Sequence, residues 1–187
     1  GHFRNMQEAL DSIKTIDHTK TITVFIRDGV YKEKVDLETE ISNVRFIGES
    51  RDKTIVTYDD HANIDNMRTF RTYTFRIRGC DLIFENMTIE NSALQLGQAV
   101  ALHVEGDRIV FKNCKFLGNQ DTIYTGGAGS RQYFERCYIE GTTDFIFGPS
   151  TTWFERCEIF CKKDSYITAA STPEFIDFGY VFNNCKI

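Results

Sequence analysis

Proline occurs only twice in this 187-residue chain and tryptophan once. Each proline removes a donor from a β-ladder, so its scarcity suits a protein built of repeated strands. No run of about 18 apolar residues exists, which excludes a membrane-spanning helix. Lysine and arginine form no cluster, the aromatic residues are not interleaved with a basic stripe, and the net charge is -5. Nucleic acid is therefore not expected as a partner. There is no Gly-x-Ser-x-Gly elbow, no P-loop and no dinucleotide fingerprint. Cys-x-x-Cys pairs are absent and the four histidines are scattered, so a metal is not expected. No leader sequence is visible. The chain opens at Gly1 without an initiator Met and stops at Ile187 directly after a strand-like run, so it reads as a segment trimmed at both ends.

What is present is a repeat. Five segments share the order aromatic, two residues, Cys or Met, one residue, Ile or Phe. They begin at Phe84, Phe111, Phe134, Phe154 and Phe182, and their fourth positions are Met87, Cys114, Cys137, Cys157 and Cys185. The slot returns at uneven intervals of roughly 20–28 residues, a period that marks a solenoid whose loops differ in length. A strand returning in this way, with strand-like segments such as Tyr73–Ile77 and Asp144–Phe147 between, predicts an all-β solenoid: a right-handed parallel β-helix forming a single domain over residues 1–187. The fourth and sixth positions share one strand face, whereas the leading Phe has the wrong parity. A bend at the third position would turn it inward. Asn tolerates the left-handed conformation such a bend needs, but Arg136 and Arg156 hold that position in two copies, so a different bend is expected there.

The N-terminus departs from the repeat. Met6, Ala9, Leu10 and Ile13 follow helical spacing, and Asn5 with Glu8 resembles a capping box. A short helix here would cap the open end of the solenoid. Strands are expected at Thr21–Ile26 and Val44–Ile47. Met in the place of Cys shows that the repeated slot asks for an apolar side chain, so its four cysteines are expected as buried free thiols. Cys80 and Cys161 stay open. His103, inside the apolar run Ala99–Val104, reads as structural.

Two stretches do not look like scaffold: Gly118–Tyr124 (GNQDTIY) and Glu140–Gly148 (EGTTDFIFG). Asp121 and Asp144 are separated by the same interval as the neighbouring slots Cys114 and Cys137. Both aspartates therefore share one phase of successive coils, on the order of 5 Å apart at the backbone. Like charges so placed separate in proton affinity, which supplies an acid/base and a nucleophile side by side. Gln120 adjoins Asp121, and Gln98 lies about one period earlier. Amide donors at that phase could stabilise an oxyanion. A single Asp in a β-helix turn more often satisfies the backbone, but polar residues phased on three successive coils make coincidence a poor account.

Four ordered segments, Gly97–Leu102, Gly118–Tyr124, Gly141–Gly148 and Tyr166–Ser171, resemble the signature segments of pectin methylesterases, and Phe3–Leu10 and Asp28–Glu33 resemble that family's start. The resemblance covers nearly the whole chain. It implies Asp144 as nucleophile, Asp121 as acid and then base, Gln98 and Gln120 as stabilisers of the anionic intermediate, and Tyr124, Phe145 and Thr143 as substrate contacts. It implies methyl-esterified pectin (polygalacturonate) as partner, no cofactor, a monomer, and an extracellular or periplasmic location. The family places a Leu-Gly-Arg-Pro-Trp segment after the strand corresponding to Gly179–Ile187, and this chain ends before it. Other readings are a related β-helix esterase or thioesterase on another acyl substrate and a non-catalytic polysaccharide-binding β-helix. A pectate lyase would need a calcium-binding carboxylate cluster, which is not identifiable.

Overall fold

The computed structural model describes residues 3–187. Three parallel sheets run along it, with seven, six and six strands among the described residues. Each of six coils gives one strand to each sheet, and Tyr180–Asn183 adds a seventh strand to the first. One coil supplies Ile109–Lys112, Lys115–Leu117 and Ile123–Thr125, and the next supplies Arg131–Glu135, Tyr138–Gly141 and Ile146–Gly148. This is the right-handed parallel β-helix expected from the repeat, the hand that parallel crossovers favour.

The bend between the first and second sheets falls at the third position of the repeat. Asn86, Asn113, Arg136, Arg156 and Asn184 all have φ between 50° and 55°. The two arginines therefore bend as the asparagines do, contrary to the expectation of a different corner. The reason is the ladder. The backbone N–H groups of Asn113, Arg136 and Arg156 donate to Glu135, Glu155 and Asn183 of the following coil, each at 2.9 Å. These bonds impose the corner on whatever residue stands there, at a cost of about 1 kcal/mol for a residue with a Cβ. Both arginine side chains are exposed, where nothing opposes the turn.

The bend carries the leading phenylalanines inward. Phe46, Phe84, Phe111, Phe134, Phe154 and Phe182 form one interior stack, with successive ring centroids 4.7–5.2 Å apart. Each fully buried ring contributes roughly 2–3 kcal/mol by desolvation, and the stacked geometry adds about 1 kcal/mol per pair. Beside this stack run the thiols. Cys114, Cys137, Cys157 and Cys185 each donate to the carbonyl of the phenylalanine one coil before, at 3.4–3.6 Å. All six cysteines are free. Cys161 is exposed and Cys80 half-buried, which resolves the two that sequence left open.

The N-terminal helix spans Met6–Ile13 and buries Met6, Leu10 and Ile13 against the first coil. Glu8 N–H donates to Asn5 Oδ1 at 2.9 Å. The other free donors of the first turn, Met6 and Gln7 N–H, reach the Glu33 carboxylate at 2.8 and 3.1 Å. The cap is thus completed from the solenoid rather than by Glu8. An apolar concavity of about 820 Å³ remains between this helix and the strand Ile22–Ile26.

Candidate active site

The third sheet carries the chemistry-bearing face. Its strands Ile123–Thr125 and Ile146–Gly148 pair Ile123 with Ile146 and Tyr124 with Phe147. Asp121 and Asp144 each lie two positions before a paired isoleucine, so they occupy equivalent places on adjacent coils. Both have left-handed backbones, with φ of 65° and 48°. The Asp121 N–H donates to Thr143 O at 3.1 Å, and the Asp144 N–H to Tyr166 O at 2.7 Å. The ladder therefore holds two non-glycine residues left-handed, as it does at the corners of the repeat, a conformation that aspartate tolerates.

Their surroundings differ. Asp121 is only 9% exposed, and its carboxyl accepts no hydrogen bond among the described residues, whereas Asp144 is half-buried. Burial, with the Asp144 charge as the smaller contribution, pushes the Asp121 pKa up to about 7. A carboxyl that keeps its proton near neutrality, beside a second and more solvated carboxyl, is equipped to act as an acid.

Gln98 and Gln120 are brought together. Ala62 N–H donates to Gln98 O at 2.8 Å and Ala99 N–H to Gln120 O at 3.1 Å, which places the two residues on adjacent rungs. Both are half-buried, and neither side-chain amide hydrogen-bonds to a protein group among the described residues, leaving N–H donors free for a ligand. Thr143 stands at the rung after Gln120, and its Oγ1 lies 3.0 Å from Ser165 Oγ.

Tyr124 lies on the same face, half-buried. Its ring is 5.0 Å from Phe147, 4.8 Å from Phe70 and 4.7 Å from His103. Phe145, expected beside it as a substrate contact, is instead 1% exposed and part of the core. The left-handed turn at Asp144 sends the next side chain inward. Gly141 makes room, since a Cβ there would come within 2.2 Å of Phe145 Cβ. Phe147 takes the surface position. The signal was available, because Tyr124 and Phe147 are separated by the same interval as the two aspartates. Phe70, 52% exposed on the 3₁₀ turn Thr69–Arg71, had no such signal. It reaches Tyr124 only through the fold.

His103 is buried, as its apolar run implied. One ring nitrogen, Nε2, lies 2.8 Å from Glu105 Oε1, and Nδ1 has no partner. Burial holds its pKa below the usual histidine value, so Nε2 carries the proton toward Glu105. Among the described residues no three His, Cys, Asp or Glu side chains converge as a metal-binding group.

The pectinesterase family model matches residues 1–187, the whole chain. The chain belongs to the pectinesterase family. This pectinesterase chain is 37% identical over its full length to "Pectinesterase 31" of Arabidopsis thaliana, spanning 62% of that protein. It is 35% identical to a pectinesterase of Petunia integrifolia, spanning 51% of it. The pectin methylesterase of Yersinia enterocolitica superposes with a TM-score of 0.91 at 32% identity, over 99% of this chain and 65% of that one. A pectin methylesterase solved in complex with a hexasaccharide superposes with a TM-score of 0.87 at 29% identity, over 98% of this chain and 61% of that one. The chain thus spans between half and two thirds of the length of these relatives.

Proposed function

We propose that this chain carries the ester-cleaving face of a pectin methylesterase, which hydrolyses the methyl esters of polygalacturonate to free carboxylate and methanol. The observation that carries the proposal is the aspartate pair: two carboxyls on adjacent coils, the deeper one buried so that its pKa is pushed up to about 7. Family membership and the hexasaccharide complex of a structural neighbour support the substrate class.

In this reading the Asp144 carboxylate attacks the ester carbonyl carbon. The resulting oxyanion accepts hydrogen bonds from the amides of Gln98 and Gln120. As the tetrahedral centre collapses, the C–O bond to the methoxy group breaks and Asp121 gives its proton to the departing oxygen, releasing methanol. Asp144 is left acylated as an anhydride. Asp121, now a carboxylate, removes a proton from water, whose oxygen attacks the acyl carbon. Asp144 leaves as carboxylate, Asp121 is protonated again, and the galacturonate product is a carboxylic acid that ionises in water. Tyr124 and Phe147 offer apolar surface for the sugar rings, with Thr143 as a polar contact beside the nucleophile. A polymeric substrate of this kind places the enzyme outside the cytoplasm, in the extracellular space or the periplasm.

The test is methanol release from methyl-esterified pectin by the intact protein and its Asp144→Ala variant. Loss of about a thousandfold or more in the variant is expected. An intact protein that releases no methanol would overturn the proposal.

A further inference from the structure

The inward row of the first sheet changes character along the helix. Register aligns Ile22, Val44, Leu82, Ile109, Gln132, Thr152 and Tyr180. The first four are apolar and the last three polar. The change comes at the coils that carry the aspartate pair. A solenoid interior needs no polar groups, and each one buried there must find a partner.

The partners that Gln132 and Tyr180 find lie on the third sheet. Gln132 Nε2 donates to Gly126 O at 3.2 Å, just beyond the strand Ile123–Thr125. The Tyr180 hydroxyl donates to Gly148 O at 3.1 Å and also contacts Thr125 Oγ1. Thr125 Oγ1 lies in turn 3.2 Å from Phe147 O. Here the ladder between the two strands ends, because its paired residues are Ile123 with Ile146 and Tyr124 with Phe147. Gly148 has φ of 128°, and a Cβ on it would sit 2.2 Å from Thr125 O. The strand ends thus come very close where regular pairing stops, and a hydroxyl from across the interior joins them. The Tyr180 ring is held edge-on to Phe154 at 6.1 Å, part of the core stack. Burial also keeps the phenol protonated well beyond neutral pH, so it remains a donor.

We infer that Tyr180 is a positioning residue for the aspartate pair: its hydroxyl ties Thr125 to Gly148 and so sets the spacing of the two strands that begin just after Asp121 and Asp144. Tyr180 touches neither carboxyl. It acts through strands whose outer faces bear Tyr124 and Phe147 and whose starts hold the pair. The inference rests on the proposed esterase reading for its kinetic consequence, but not for its structural one.

The experiment compares the intact protein with its Tyr180→Phe and Thr125→Val variants, each of which removes one hydroxyl and little volume. Methanol release is followed from pH 5 to 9, the Asp121 carboxyl is titrated by NMR, and thermal unfolding reports folding. If the hydroxyl sets the spacing, Tyr180→Phe lowers kcat about five- to tenfold with KM nearly unchanged. The Asp121 titration and the basic limb of the rate profile then move about half a pH unit toward acid, because a wider gap weakens the repulsion from Asp144. Thr125→Val reproduces the shift, and the double variant adds little to it. A Tyr180→Phe protein with unchanged kcat and an unmoved Asp121 titration would overturn the inference. So would one that loses activity only in proportion to its folded fraction. A wild-type protein without methanol release sinks the esterase reading alone, since the Asp121 titration still decides the role of Tyr180.

Discussion

Asp121 and Asp144 stand at the same phase of adjacent coils, one rung apart in space, each on a left-handed backbone. Their equivalence in the ladder makes their difference in environment consequential. Asp121 lies deeper, so burial together with the neighbouring charge keeps its proton. A β-helix repeats position while letting the depth of each side chain vary with its loops. It can therefore bury one carboxyl and leave its equivalent on the next coil more exposed, from one repeated place.

The first consequence is a pH dependence. In the proposed mechanism Asp121 must carry a proton to release methanol, and burial with the Asp144 charge pushes its pKa up to about 7. The rate of methanol release at saturating pectin is expected to fall as pH rises through about 7, where the acid form is lost. A pH–rate profile of the intact protein checks this. A rate constant flat from pH 6 to 9 would show that Asp121 is not the acid.

A second consequence concerns stability. The folded pKa of Asp121 lies above its unfolded value of about 3.9. The favourable contribution is therefore present below pH 4 and is lost as pH rises through about 7. At pH 8 the folded protein bears a buried carboxylate that the unfolded chain would solvate. Asp121→Asn keeps the shape and removes that charge. It is expected to abolish methanol release while stabilising the fold at pH 8 by on the order of 2 kcal/mol, with the gain vanishing near pH 4. Denaturant unfolding at the two pH values measures it. Equal effects at both would mean that Asp121 is not held in its neutral form.

The two phenylalanines that flank Ile146 should separate cleanly. Phe145→Ala leaves a cavity in the core and is expected to cost about 3–5 kcal/mol of stability. Phe147→Ala removes a half-buried ring beside Tyr124 and should leave unfolding nearly unchanged while raising KM for esterified pectin several-fold. Unfolding curves and Michaelis plots for the pair would expose any exchange of these roles.

Periodicity alone was enough to locate the architecture. The recurring Phe, the Cys or Met slot and the polar corner between them are local features, and a stacked coil converts spacing along the chain into adjacency in space. That conversion also brings Asp121, Asp144, Gln98 and Gln120 to one face from the sequence alone. It could have named Phe147 as well, had the interval between the aspartates been applied to Tyr124. What it could not supply was the inward turn of Phe145, which depends on a left-handed Asp144 and a bare Gly141. Nor could it find Phe70 or Tyr180, which lie on distant coils and share no phase with Tyr124. Phase is written in the chain because it is a distance along the backbone. Depth is not, because it depends on which side chains from distant coils fill the space around a residue, and for Asp121 that depth decides where the proton stays.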